Sequence, residues 1–206
     1  MTVIANSIPE MIDIAFELGG ATPPPSYPFA LWNELLRLAP QLDEQPGTGV
    51  LPLRLTENSD GMLLPKRTRL AVRLQATQAD PVTALLSGRQ IEVGSSRMQL
   101  GKGKKRSIQP YPTLHAQMVA GTSDEVLFMD AIRKQLSELG VVGNLICGKR
   151  HTLTGGQQSI HGFSLVIHDL KADASLKLQY AGLGGSRQYG CGIFIPYKVI
   201  SGLSED

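Results

Sequence analysis

Cysteine is scarce in this chain, and the two present, Cys147 and Cys191, lie too far apart to make a CxxC pair. A disulfide framework and a cysteine-built zinc site are therefore excluded, and reduced thiols in a cytoplasmic protein are expected. Four histidines, His115, His151, His161 and His168, show no HxxxH spacing, so no metal centre is expected either. Long apolar runs are lacking, and the first residues have no charged-then-apolar leader pattern. Neither a membrane nor an export role is expected. A large excess of one charge is missing too. With a formal net charge of only +2, contact with a polyanion has to come from local clusters.

Glycine, by contrast, is concentrated near the C-terminus. The stretch Gly182-Leu183-Gly184-Gly185-Ser186-Arg187-Gln188-Tyr189-Gly190-Cys191-Gly192 sets five glycines beside an arginine and a tyrosine. Glycine frees the backbone for positive φ and lets a ligand approach the main chain. Successive exposed N–H groups form an anion-binding nest. Arg187 adds a planar cation suited to phosphate, and Tyr189 a stacking face. A dinucleotide fingerprint opens a helix after a strand; here a helix comes first and a strand follows. The Gly-Lys-Ser/Thr of a nucleotide-triphosphate loop is absent. No cofactor is expected, and the loop reads as a cradle for a phosphate backbone. The plainer alternative is a glycine turn with no ligand.

Hydrophobic spacing organises the rest. Met11 to Leu18 alternates as a strand. Ser26 stands where it would cap a helix through Ala39, striped by Phe29, Trp32, Leu35 and Leu36. Leu51, Leu53 and Leu55 alternate, with Pro52 confining them to an edge strand. Leu70, Val72 and Leu74 form another strand, Asp80-Pro81 opens a helix stopped by Gly88, and Ile91 begins a last strand. The second half repeats the order. Strand Leu114–Met118 leads through a capping box at Thr122-x-x-Glu125 to a helix ending at Gly140. A short strand near Leu145, a longer one over Phe163–Ile167, a helix from Asp173 and a strand after the glycine loop complete it. Each half reads βαββαβ, so the expected fold is α+β, two tandem ferredoxin-like (RRM-like) domains. The expected domains are residues 1–100 and 113–206, joined by a basic linker over 101–112.

That linker, GKGKKRSIQPYP, carries Lys102, Lys104, Lys105 and Arg106, either as a solvated connector or as a grip on RNA phosphates. Alternation also places Arg69, Arg73, His115 and His168 on the sheet faces away from the helices. RNA-recognition sheets use that face. Ordinary surface roles are the alternative for each.

The segments Ile12-Asp-Ile-Ala-Phe16, Phe29-Ala-Leu-Trp32, Pro46-Gly-Thr-Gly49, Leu176-Lys-Leu-Gln179 and above all Gly182 to Pro196 resemble the CRISPR repeat-RNA endoribonucleases, the sixth Cas family. Within it the resemblance is to the Myxococcus-type subgroup. It implies a substrate, the repeat hairpin of precursor CRISPR RNA, and a reaction, metal-independent attack of a 2′-hydroxyl on the adjacent phosphate. The loop residues expected to meet that RNA, from the N–H groups, cation and stacking face they offer, are Gly182, Gly184, Gly185, Ser186, Arg187, Gln188, Tyr189 and Gly190. The resemblance also implies partners, the other Cas subunits of a multisubunit RNA-guided complex.

The chain departs from the family at one telling place. Relatives enter the first helix with a sequence like Asp-His-Gly-Tyr, whereas this chain has Ser26-Tyr27-Pro28-Phe29. Tyr27 stands at the histidine position, and a phenol with an ordinary pKa near 10 is a poor base at neutral pH. Three readings follow: slow catalysis through Tyr27, catalysis by a histidine such as His115, or RNA binding with catalysis lost. Outside the family, a small-ligand ferredoxin-like domain leaves the glycine loop and the basic cluster unexplained.

Overall fold

The computed structural model describes residues 8–58 and 61–197; the ends of both expected domains, 1–7 and 198–206, lie outside the described residues. In the first half, strand β1 spans Met11–Gly20 and buries Ile14, Phe16 and Leu18. Helix α1, Tyr27–Leu38, buries Pro28, Leu31, Trp32 and Leu35. That i, i+3, i+4, i+7 spacing is one face of a helix, and each large apolar side chain removed from water is worth about 1.5–3 kcal/mol. Strand β2 is only Gly49–Val50. A separate small hairpin follows, β3 over Thr56–Asn58 and β4 over Gly61–Leu63. Strand β5, Arg69–Gln75, helix α2, Ala79–Leu86, and strands β6, Gln90–Val93, β7, Ser96–Leu100, and β8, Lys104–Ser107, complete this half.

The sheet runs β2-β5-β1-β7-β6, and β8 joins β7 along the same edge of β1. Ile14, Phe16, Leu70, Val72 and Leu74 meet the helices in one core. In the second half, β9, Leu114–Ala120, α3, Glu125–Leu139, β10, Asn144–Gly155, β11, Gln158–His168, α4, Ala172–Ala181, and β12, Ile195–Pro196, follow in order. Their sheet runs β10-β11-β9-β12, every pair antiparallel. Both halves therefore have the split ferredoxin-like arrangement, each around its own apolar cluster.

Several expectations need correction. The basic segment is not a free linker, because Lys104–Ser107 pairs with Ile12–Ala15 of β1 and extends the first sheet. The strand expected over Leu51–Leu55 stops at Val50, just before Pro52, whose missing N–H cannot enter a ladder. Ser26 sits at the N-cap of α1 without a side-chain capping bond. At α3 the cap is Asp124, which accepts from the Leu127 N–H at 3.0 Å, rather than the expected Thr122 box. The short strand near Leu145 is in fact the first arm of a long hairpin, β10–β11.

One side chain ties the two halves together. Arg73 on β5 is 1% exposed. Its Nε and Nη2 donate to both carboxylate oxygens of Asp13 at 2.7 and 2.9 Å. Its Nη1 crosses to the second half, donating to the carbonyls of Gln179 at 3.1 Å and Phe194 at 2.8 Å. The face of the first sheet expected to be open to RNA is thus covered at Arg73 by the end of α4 and the approach to β12.

Candidate nucleic-acid interface

The glycine loop leaves α4 through Gly182, whose φ is +67°. A side chain there would collide with Arg187 Nη1 and the Gly192 carbonyl, so glycine is required by contact as well as by φ. The loop is held to the second sheet by the Gly192 N–H donating to Met118 at 2.7 Å, and to α3 by the Gly184 N–H donating to Gln135 Oε1 at 2.8 Å. Gly184 and Gly185 are exposed at its crest, while Ser186, Gln188 and Tyr189 are half-buried.

Arg187, expected to reach outward, folds beneath the loop and is 7% exposed. Among the described residues none of its three guanidinium nitrogens has a hydrogen-bond partner. Burial pushes its pKa down to about 10; Arg73 adds to the shift and Asp13 opposes it. Arg187 and Gln188 line a cleft of about 230 Å³ that the loop forms with Trp32, Gln45 and Thr48 of the first half.

Tyr27 lies beside the loop, sharing a small crevice with Gln188, Tyr189 and Gly190. Its hydroxyl oxygen accepts the Leu53 N–H at 2.9 Å. Burial raises its pKa above the ordinary value, and the Leu53 bond offsets this only in part. A phenol held protonated, with its oxygen already engaged, does not serve as a general base at neutral pH. Next to it, Phe29 stacks on Tyr189 with ring centroids 4.5 Å apart. Phe29 also fills the space over Gly155, where any side chain would strike its ring. The tip of the β10–β11 hairpin, the start of α1 and the glycine loop therefore converge on one place.

The Cas6 Crispr family profile matches residues 12–199. The chain belongs to the Cas6 family. It is 31% identical over 187 residues to the CRISPR-associated endonuclease Cas6 of Myxococcus xanthus strain DK1622, covering 90% of this chain and 81% of that one. Among solved structures it resembles an RAMP protein binding different RNA substrates, with a TM-score of 0.68 and 14% identity over 89% of this chain and 98% of that one. A Cas6-related protein from Pyrococcus furiosus gives a TM-score of 0.61 and 12% identity over 90% and 98%. These two likenesses show the tandem ferredoxin-like fold.

Within this Cas6 fold the other expected residues are spread out. His115 is half-buried on β9, facing away from the helices with its ring 5.7 Å from that of Tyr197. Burial lowers its pKa, and His151 adds to the shift, so it is neutral at pH 7. The loop meets the same strand twice, Gly184 against Ala120 and the Gly192 N–H on Met118, so at about 3.4 Å per residue His115 lies roughly 17 Å from the loop's crest and roughly 10 Å from its end. Tyr27 and His115 thus do not form one cluster. Arg69 is exposed and faces Glu17 across the ladder. Lys102, Lys104, Lys105 and Arg106 are all exposed. Lys105 pairs with Asp80 of α2 at 2.7 Å, while Lys104 and Arg106 lie opposite Ala15 and Asp13 on the other sheet face.

Arg73 and Arg187 depart from the expected surface roles. Alternation correctly turned Arg73 away from the helices, but it could not show that the second half covers that face. Two placements could not be read from the sequence: Thr48, within the Pro46–Gly49 segment, is brought under the loop by the fold, and His168 Nδ1 meets Asp169 Oδ2 at 2.8 Å. Among the described residues no three His, Cys, Asp or Glu side chains are grouped as a metal cage, and no helix is long and apolar enough to cross a membrane.

Proposed function

We propose that this Cas6 family member binds the repeat hairpin of precursor CRISPR RNA and cleaves it through attack of a 2′-hydroxyl on the adjacent phosphate. The product ends are then a 2′,3′-cyclic phosphate and a free 5′-hydroxyl. The observation that carries the reading is the convergence of the glycine loop, the start of α1 and the β10–β11 hairpin in a chain related to a CRISPR-associated endonuclease. The exposed crest of Gly184 and Gly185 lets a phosphate backbone come against the main chain. Lys104 and Arg106 supply exposed cations on the edge of the first sheet. After cleavage the protein stays on the hairpin as a subunit of an RNA-guided complex.

A second reading is favoured by Tyr27. Its raised pKa and its engaged oxygen fit a subunit that holds the hairpin without cutting it. Incubating the protein with its repeat RNA in EDTA separates the two. Cleavage with a cyclic phosphate end, blocked by a 2′-deoxy substitution at the cut, supports the enzyme. Tight binding with no cut supports the binding subunit.

A further inference from the structure

Strand β10 is the outer strand of the second sheet. Among the described residues its backbone bonds only to β11, so its other edge offers unpaired N–H and C=O groups. Such an edge is a template for a further strand. Its two parts differ. Around Lys149 and Arg150 the edge is guarded: both side chains are exposed, and the register shifts between Cys147 and Arg150. A bulge and charged side chains are the usual means of blocking strand addition. The inner part, Asn144–Cys147, has a regular register, no proline and no charged side chain. Leu145 and Cys147 pack toward the core, which turns Ile146 to the open face, where it is 54% exposed. Val142, leading into the strand, is 84% exposed. Apolar exposure therefore falls where the guards are missing.

Charge selects the occupant. Asp169, which also meets His168, is exposed and accepts from Asn144 Nδ2 at 2.6 Å. A carboxylate thus stands at one end of the unguarded segment, and Lys149 and Arg150 at the other. An antiparallel copy of this segment brings the positive end of each against the negative end of the other. A parallel copy would set like charge against like. We propose that Asn144–Cys147 pairs antiparallel with the same segment of a second copy of this chain, centred on Ile146. The two four-stranded sheets then run on as one, and Ile146 meets its own counterpart in an isologous contact. This contact does not rest on the RNA reading.

Sedimentation equilibrium tests it, with unfolding temperatures at low concentration to show that each variant is folded. The unmodified protein should show reversible monomer–dimer association. Ile146→Glu, a change at an exposed position, should raise the dissociation constant at least about tenfold. Lys149→Glu with Arg150→Glu should weaken association similarly, by setting carboxylates against Asp169. Adding Asp169→Asn should recover part of the loss, and asparagine tolerates the φ of +60° found there. Such a rescue is not expected of a strand that is merely destabilised. Ile146→Cys in a Cys147→Ser chain should form an intermolecular disulfide on mild oxidation. Facing Cα atoms of an antiparallel pair lie about 4.5–5.5 Å apart, within disulfide reach. A monomer at every soluble concentration overturns the proposal and leaves the edge to a different partner. A dimer that Ile146→Glu and the charge variants do not weaken uses another face, and overturns it as well.

Discussion

Arg73 and Asp13 form a two-bond ion pair across adjacent strands, at 2.7 and 2.9 Å, with the guanidinium buried and the carboxylate mostly so. The remaining donor of Arg73 reaches two carbonyls of the other half. One side chain therefore sets both strand register and the seating of the two domains. Removing one partner of a buried pair costs about 3–5 kcal/mol. Arg73→Met should lower stability by about 3 kcal/mol, read from the denaturant midpoint. Arg73→Lys should recover only part of this, because an ammonium cannot fork to two oxygens. A loss below about 0.5 kcal/mol in Arg73→Met would show that the pair does not hold the interface.

Tyr27 offers a cleaner test through pH. Its folded pKa is raised, chiefly by burial, so the folded protein holds the phenolic proton more tightly than the unfolded chain. The linked stability is fully present below the unfolded value of about 10 and is lost as pH rises through the folded value. Tyr27→Phe should remove this alkaline loss. It should also cost about 1–2 kcal/mol at neutral pH, since the Leu53 N–H loses its acceptor. Stability curves from pH 8 to 11 that remain parallel in the two proteins would contradict the assignment.

What the sequence made legible divides along physical lines. Periodicity showed β1, α1, β5, β9 and α4, because each buries one face against its own domain's core. Gly140 ended α3 as expected, its φ of +64° being open to glycine. The outer part of the β10–β11 hairpin was hidden because, apart from the facing pair Leu153 and Ile160, it is polar and adds nothing to the core, so the apolar alternation is too sparse to mark it. The fate of the arginines was hidden for another reason. Arg73 and Arg69 share a strand and a face, yet one is buried and one exposed, and only contact with the other half distinguishes them. The glycine loop was visible as composition, but its partner Thr48 comes from 134 positions earlier than Gly182, a separation no local pattern spans.

The basic side chains of β8, unlike its backbone, should behave as a surface for phosphate and not as structural contacts. Lys104, Lys105 and Arg106 are exposed, and the Lys105–Asp80 pair is open to solvent on both sides. Such pairs contribute little, about 0–1 kcal/mol. Replacing all three by glutamine should therefore leave the unfolding midpoint nearly unchanged while lowering RNA affinity at least tenfold. The loss should be similar for unrelated hairpins, as expected of phosphate contacts. If only one repeat sequence loses affinity, these side chains read bases instead.

Catalysis, if the hairpin is cut, needs a group that takes the 2′ proton at neutral pH. Tyr27 is turned the wrong way for this by its raised pKa. His115 is turned the right way: burial and His151 lower its pKa, so the imidazole is neutral and able to accept a proton at pH 7. As base it should give a rate that is flat through neutrality and falls only below the ordinary histidine value of about 6.5. His115→Ala should slow cleavage at least tenfold, about 1.4 kcal/mol of barrier, and should erase the acid limb of the profile with RNA affinity retained. Tyr27→Phe should leave that limb in place. Because His115 sits opposite Ile195 and beside Tyr197, away from the crest of the glycine loop, the cut strand should run along β9 toward Tyr197, and cross-linking from a photoreactive nucleotide at the cut site should label β9. Labelling confined to the loop and the start of α1, with His115→Ala cutting at the normal rate, would return the chemistry to Tyr27 and its neighbours.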